Sequence, residues 1–123
     1  MDLLHDQLAQ AGQSLRSDEM ISFLAEARSN REEVVGAIKG EIAFTSLHVS
    51  ELWVKQTHRG TGLGTKLLMR AEAFALQKDC DRIHLETRNI GARKLYEKLG
   101  YTVFGTLDNY NGSQDFWYLT KAL

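Results

Sequence analysis

Arg59-Gly60-Thr61-Gly62-Leu63-Gly64 lies between an apolar run, Leu52-Trp53-Val54, and an amphipathic run that starts at Thr65. The order is therefore strand, glycine turn, helix start. Amides in the first turn of a helix have no intrahelical acceptor, and the macrodipole adds partial positive charge there. Such a turn suits an anion, and a phosphate is the expected occupant. Two familiar phosphate motifs are excluded by the spelling. A P-loop ends in Gly-Lys-Ser/Thr, whereas Gly64 is followed by Thr65 and Lys66. A G-x-G-x-x-G dinucleotide fingerprint would need glycine where Thr65 stands. A glycine-rich connection without a ligand is the plain alternative, and only the surroundings of the turn decide between the two.

Outward from the turn, residues 48–54 read as a strand, and Leu67, Leu68, Ala71, Phe74 and Ala75 share one face of the following helix. Residues 22–28 and 33–44 read as a hairpin, with Gly36 and Gly40 as bulge or crossover points. Residues 82–87 alternate as a strand. Ala92, Leu95, Tyr96 and Leu99 then stripe a short helix stopped by Gly100. Two last strands, near 102–105 and 114–120, flank a turn containing Asp108, Asn109, Asn111 and Gly112. At the other end, Leu3, Leu4, Leu8, Ala11 and Leu15 recur near helical spacing and predict an N-terminal helix ending before Ser17. Hairpins at both ends with helical crossovers between them imply a mixed α/β sheet.

A chain of 123 residues suits one domain, residues 1–123, with a single core. Fifteen Lys and Arg against sixteen Asp and Glu leave a net charge of −1, which argues against nucleic-acid binding through bulk charge. Cys80 is the sole cysteine, so no internal disulfide forms and a reducing cytoplasm is the expected compartment. The opening MDLLHDQLAQAGQ carries acids and amides within its apolar stretch, unlike a signal peptide, and no run approaches membrane-spanning length. No membrane contact is expected.

The decisive surroundings come one strand later, in Asn89-Ile90-Gly91-Ala92-Arg93-Lys94-Leu95-Tyr96-Glu97-Lys98-Leu99-Gly100-Tyr101. With this segment in place the chain resembles the GNAT superfamily of N-acetyltransferases, which carries R-x-x-G-x-G after its fourth strand and N-x-x-A-x-x-x-Y after its fifth. Arg59, Gly62 and Gly64 meet the first pattern, and Asn89, Ala92 and Tyr96 the second. The resemblance spans residues 33–121 and implies a GNAT-like mixed, mostly antiparallel sheet flanked by helices. It departs from the family at the start: residues before Ser22 read as helix with no strand ahead, so the fold is expected to be N-terminally shortened, its exposed edge free for a partner such as a second copy in a homodimer.

The resemblance implies acetyl-coenzyme A as cosubstrate. Its pyrophosphate would lie on Gly60, Thr61, Gly62, Leu63, Gly64 and Thr65 with Arg59 adding donors. Its pantetheine amides would meet free backbone at Trp53 and Val54, where the fourth and fifth strands splay, and Asn89 would anchor it from the other side. Tyr96 would be the general acid that protonates the leaving thiolate of the ternary complex. Periodicity alone makes Tyr96 a core aromatic of its helix stripe. His48 and Glu51 are the candidate bases, alternation placing them on opposite faces of their strand unless a bulge shifts the parity, with a water relay to solvent as a third route. Glu86 reads as a solvent-side carboxylate, and Trp53, Tyr110, Phe116 and Trp117 as either packing residues or the wall of an acceptor pocket. His5, His58 and His84 are too scattered for a metal cluster, and no metal is expected. The amine acceptor has no sequence signature. Two rival readings remain, a non-catalytic acyl-coenzyme A sensor or assembly module and a nucleotide-binding regulatory domain.

Overall fold

Residues 21–28 alternate partly exposed side chains with Phe23, Ala25 and Ala27, which are fully buried, and that period of two fixes them as a half-buried strand. The computed structural model describes residues 20–123 and, by backbone alone, residues 3–10. Its strands are β1 (Leu3–Gln10), β2 (Ile21–Arg28), β3 (Val34–Ala43), β4 (Ser46–Val54), β5 (Arg82–Thr87), β6 (Thr102–Asn111) and β7 (Gln114–Ala122). Helix α1 (Leu63–Gln77) follows β4 after one 3-10 turn, and α2 (Ile90–Lys98) follows β5. They form one sheet in the order β1-β2-β3-β4-β5-β7-β6. Every neighbouring pair is antiparallel except β4 and β5, which are joined by the α1 crossover.

The expected N-terminal helix is corrected over residues 3–10, which pair with β2 as a strand; the rest of that helix, residues 11–15, lies outside the described residues. Leu4 and Leu8 are four apart, a spacing that satisfies a period of two as well as 3.6, so the pattern did not discriminate. Their register partners are Ala27 and Phe23. A strand therefore does precede Ser22, and it covers the β2 edge that was expected to be bare.

Both helices lie on one face. Leu63, Leu67, Leu68, Ala71, Phe74 and Ala75 of α1 pack on β2, β3, β4 and β5, and Phe74 stacks on Phe23 at 4.6 Å. Trp117 of β7 alternates with buried Leu119 onto the same face, and the Arg93 guanidinium of α2 sits 4.9 Å above its ring. Glu72 of α1 ties the two halves: it accepts the Tyr101 hydroxyl at 2.7 Å and the Lys121 ammonium at 3.2 Å. Burial, then that hydrogen bond, push the Tyr101 phenol far above its ordinary pKa.

Two bulges set which residues reach which face. Ala27 pairs with Gly36 but Arg28 with Val34, leaving Val35 as the extra residue on β3. Lys39 pairs with Glu51 but Gly40 with Val49, leaving Ser50 as the extra residue on β4. A β-carbon on Gly40 would stand 2.5 Å from the His48 carbonyl oxygen, so this close approach of backbones requires glycine. Gly36 and Gly40 thus flank the bulges the sequence suggested. At the last hairpin, β6 runs through the expected turn to Asn111, and the chain reverses at Gly112-Ser113, with Gly112 at φ 65°. No described helix is long and apolar enough to cross a membrane.

Candidate active site

Gly60 and Gly62 adopt φ of 77° and 82°, the left-handed region where a side chain is costly, and a β-carbon on either would meet nothing within 4 Å. The glycines are needed for the shape of the turn, and the space before them is open. Gly62 begins α1 with no side-chain cap, and Lys66 N–H reaches back to the Gly62 carbonyl at 3.0 Å. The amides of Leu63, Gly64 and Thr65 precede that bond and belong to the helix's unpaired first turn. The hollow here is about 340 Å³, lined by Val54, His58, Arg59, Gly60, Gly62, Leu63, Gly64, Thr65 and Leu95. Thr61 is outside this lining; its hydroxyl donates to the His58 carbonyl at 2.6 Å and braces the turn.

The second space arises from a failure of pairing. β4 and β5 bond only from Ser46 to His48 and from Arg82 to His84, and the strands then part. The resulting cleft of about 710 Å³ is walled by residues 49–54 on one side and by Leu85, Glu86, Thr87, Asn89, Ala92, Leu95 and Tyr96 on the other. It shares Val54, Arg59, Gly64 and Leu95 with the glycine hollow, so the two are one groove. The Val54 carbonyl is already engaged, accepting Arg59 Nε–H at 3.0 Å. Asn89 caps α2, its side-chain oxygen accepting the Ala92 N–H at 2.8 Å. Tyr96 is buried beside Tyr101, ring centroids 6.1 Å apart, and burial raises its phenol pKa, so it keeps its proton at neutral pH.

The Ser50 bulge corrects the expected split of the two base candidates. His48 pairs with Glu41 and Glu51 with Lys39, both odd-numbered positions of β3, so both candidates share the face that carries no described helix. Glu51 lines the cleft, whereas His48 is not part of its lining. His48 Nε2 is 2.9 and 3.0 Å from the two Glu86 carboxylate oxygens, and Nδ1 is 4.0 Å from Glu41. Its ring stacks on His84 at 4.8 Å and 16°. His84 Nδ1 lies 2.6 Å from the Ser46 hydroxyl oxygen. Burial first, then the neighbouring His48 charge, hold His84 below its ordinary pKa. Glu86, read from the sequence as a solvent-side carboxylate, lines the cleft. Its alternation with buried Leu85 gave its face, but its partner depended on a β4–β5 register that one sequence does not display.

The profile of the acetyltransferase (GNAT) family matches residues 2–101. The chain belongs to the GNAT family. An acetyltransferase of Agrobacterium fabrum is 32% identical over 114 residues, covering 93% of this chain and 80% of that protein. Among solved structures, an acetyltransferase from Bacillus cereus superposes with a TM-score of 0.82 at 26% identity, over 86% of this chain and 76% of the other. A GNAT family acetyltransferase from Elizabethkingia anophelis, solved with acetyl-CoA bound, shares the fold at a TM-score of 0.78 and 18% identity, over 99% of this chain and 98% of the other.

In this GNAT domain the aromatic residues separate by location. Trp53 lines the cleft; Tyr110, Phe116 and Trp117 do not. Tyr110, Phe116, Tyr118 and Phe104 form a row on the terminal hairpin with successive centroids 4.8, 5.1 and 6.2 Å apart. Trp117 points to the helical face beneath Arg93. Cys80 is buried past the far end of α1, and burial, with Asp81 and Asp79, raises its thiol pKa, making it a poor nucleophile.

Proposed function

We propose that this chain transfers acetyl from acetyl-coenzyme A to the nitrogen of an amine by direct attack within a ternary complex. The observation that carries the reading is the continuity of the groove, from the open amide turn at Gly60 and Gly62 to the buried phenol of Tyr96. Family membership supports the acetyl chemistry, and the acetyl-coenzyme A in the Elizabethkingia anophelis neighbour supports the donor. The pyrophosphate lies on the α1 amides, with Arg59 and Thr65 beside it. Pantetheine adds as a strand to the β4 edge that β5 leaves unpaired, between Trp53 and Asn89.

The amine lone pair attacks the thioester carbon, the C–N bond forms, and the C–S bond breaks. Tyr96 donates its proton to the departing sulfur. An ordinary thiol titrates at about 8.5, below a phenol, so transfer to a solvated thiolate would be uphill. Burial raises Tyr96 and would likewise raise the thiol of a bound coenzyme, so the phenol keeps its proton until charge develops on the departing sulfur. Buried Cys80 stands outside the groove, which favours direct transfer over a covalent acyl-enzyme.

Titrating the protein with acetyl-coenzyme A while following its melting temperature tests the donor, and release of free thiol with a panel of amines tests the transfer. Tyr96→Phe is expected to keep coenzyme affinity and lower kcat by roughly 10²-fold or more, the scale of general acid catalysis. Binding without thiol release from any amine would reduce the chain to an acyl-coenzyme A sensor, and full turnover in Tyr96→Phe would leave that ring as packing.

A further inference from the structure

Glu86 lines the cleft and is gripped from the neighbouring strand, both of its oxygens within 3.0 Å of His48 Nε2. Glu51 lines the same cleft from β4, but its cross-strand neighbour is Lys39 and no imidazole holds it. A carboxylate fixed by a ring that itself can carry a proton differs chemically from one that merely lines a wall. The Ser50 bulge and the short parallel pairing, which sets His48 opposite His84, build this contact between residues 38 positions apart.

We propose that Glu86 is the base for the acceptor amine, its carboxylate receiving the proton from nitrogen while His48 Nε2–H holds it in place. The inference rests on the amine-acetylation reading above. The acceptor ammonium gives one proton to the Glu86 carboxylate, which frees the lone pair. The proton then leaves Glu86 for water, while His48 Nε2, which carries the hydrogen of its contact with both Glu86 oxygens, stays a donor. As the C–N bond forms, nitrogen loses its second proton, Tyr96 protonates the thiolate, and the phenol is reprotonated; one proton in net leaves to water. His84 does not compete for it, because its burial and the His48 charge both oppose protonation there. The described groups around the pair are Lys39 and Glu41 from β3, Ser46 and Glu51 from β4, His84 from β5 and Tyr118, the register partner of Glu86, from β7. Glu86 is the catalytic residue of the pair, and His48 is its positioning residue.

Two amines of different basicity test the pair. An α-amino group, as in glycinamide, titrates at about 7.7–8.0 and is partly free base at pH 7; a lysine side chain, as in Nα-acetyl-lysine amide, titrates at about 10.4 and is almost wholly protonated. Glu86→Gln should lower kcat/KM for the lysine probe by roughly 10²-fold and for glycinamide by about tenfold or less, with the acetyl-coenzyme A melting shift retained. His48→Gln can still donate a hydrogen bond to Glu86 but cannot carry a proton. It should retain more activity than His48→Ala, with the loss in His48→Ala falling on kcat and not on KM. Equal losses on both amines in Glu86→Gln, or equal losses in His48→Gln and His48→Ala, would overturn the proposal. Should wild type bind acetyl-coenzyme A yet acetylate neither amine, the functional reading fails instead. The pair is then judged by proton NMR of the His48 ring, whose Nε2–H resonance must shift in Glu86→Gln; an unmoved resonance overturns the contact independently of turnover.

Discussion

The two ends of the groove are made in different ways. At the glycine end, the stretch from Arg59 to Thr65 supplies most of the lining, and what it chiefly presents is backbone: amides of a helix start, with Gly60 and Gly62 giving the turn its sign. At the other end, Glu51, Glu86 and Tyr96 come from β4, β5 and α2, and what they present is side chains whose meeting depends on register. A backbone site changes little when neighbouring side chains change, whereas a site assembled through register can be rebuilt by moving one bulge.

The sharpest way to break the contrast is Gly62→Asp. A β-carbon there has open space, and Asp tolerates positive φ better than most residues, so the chain should still fold. Its carboxylate would sit among the amides proposed to hold the pyrophosphate, and acetyl-coenzyme A affinity is expected to fall about 100-fold, equivalent to ~2.7 kcal/mol. A calorimetric Kd equal to wild type would remove the anion cradle from the account. Next in size is Gly40→Ala, whose added methyl meets backbone at 2.5 Å and must displace the Ser50 bulge. A stability loss of about 1–3 kcal/mol in urea is expected, together with a lower kcat at nearly normal coenzyme affinity. Equal damage to binding and turnover would mean that the two ends are not separable.

The smallest effect concerns pH. His84 has a folded pKa below its unfolded value of about 6.5, so folding favours the neutral ring. Its contribution is present above pH 6.5 and is lost as pH falls below that value. The melting temperature of wild type should therefore drop more steeply between pH 7 and 5 than that of His84→Asn. Parallel slopes in the two proteins would show that this ring does not sense the fold.

The difference between the ends also explains what could be read in advance. Arg59 to Thr65 and Asn89 to Tyr96 are contiguous, and their motifs gave the fold class and the groove lining, Tyr96 included. The strand at residues 82–87 was legible because Ile83 and Leu85 alternate cleanly with charged neighbours. The role of Glu86 was not legible, because it rests on pairing between residues 38 apart. His48 and Glu51 were assigned to opposite faces because regular alternation cannot show where a strand gains a residue. Residues 3–10 failed for another reason: Leu4 and Leu8 fit both periods, and only pairing with β2 decides between them.

Glu72 stands nine residues into the helix that opens at the glycine turn, and it holds both Tyr101, whose ring flanks Tyr96, and Lys121 of β7. One carboxylate thus fastens the backbone wall of the groove to its side-chain wall from behind. A ligand bridging the walls finds their spacing already set when the chain folds, so the entropy of bringing them together is charged to the stability of the protein and not to the affinity of the ligand.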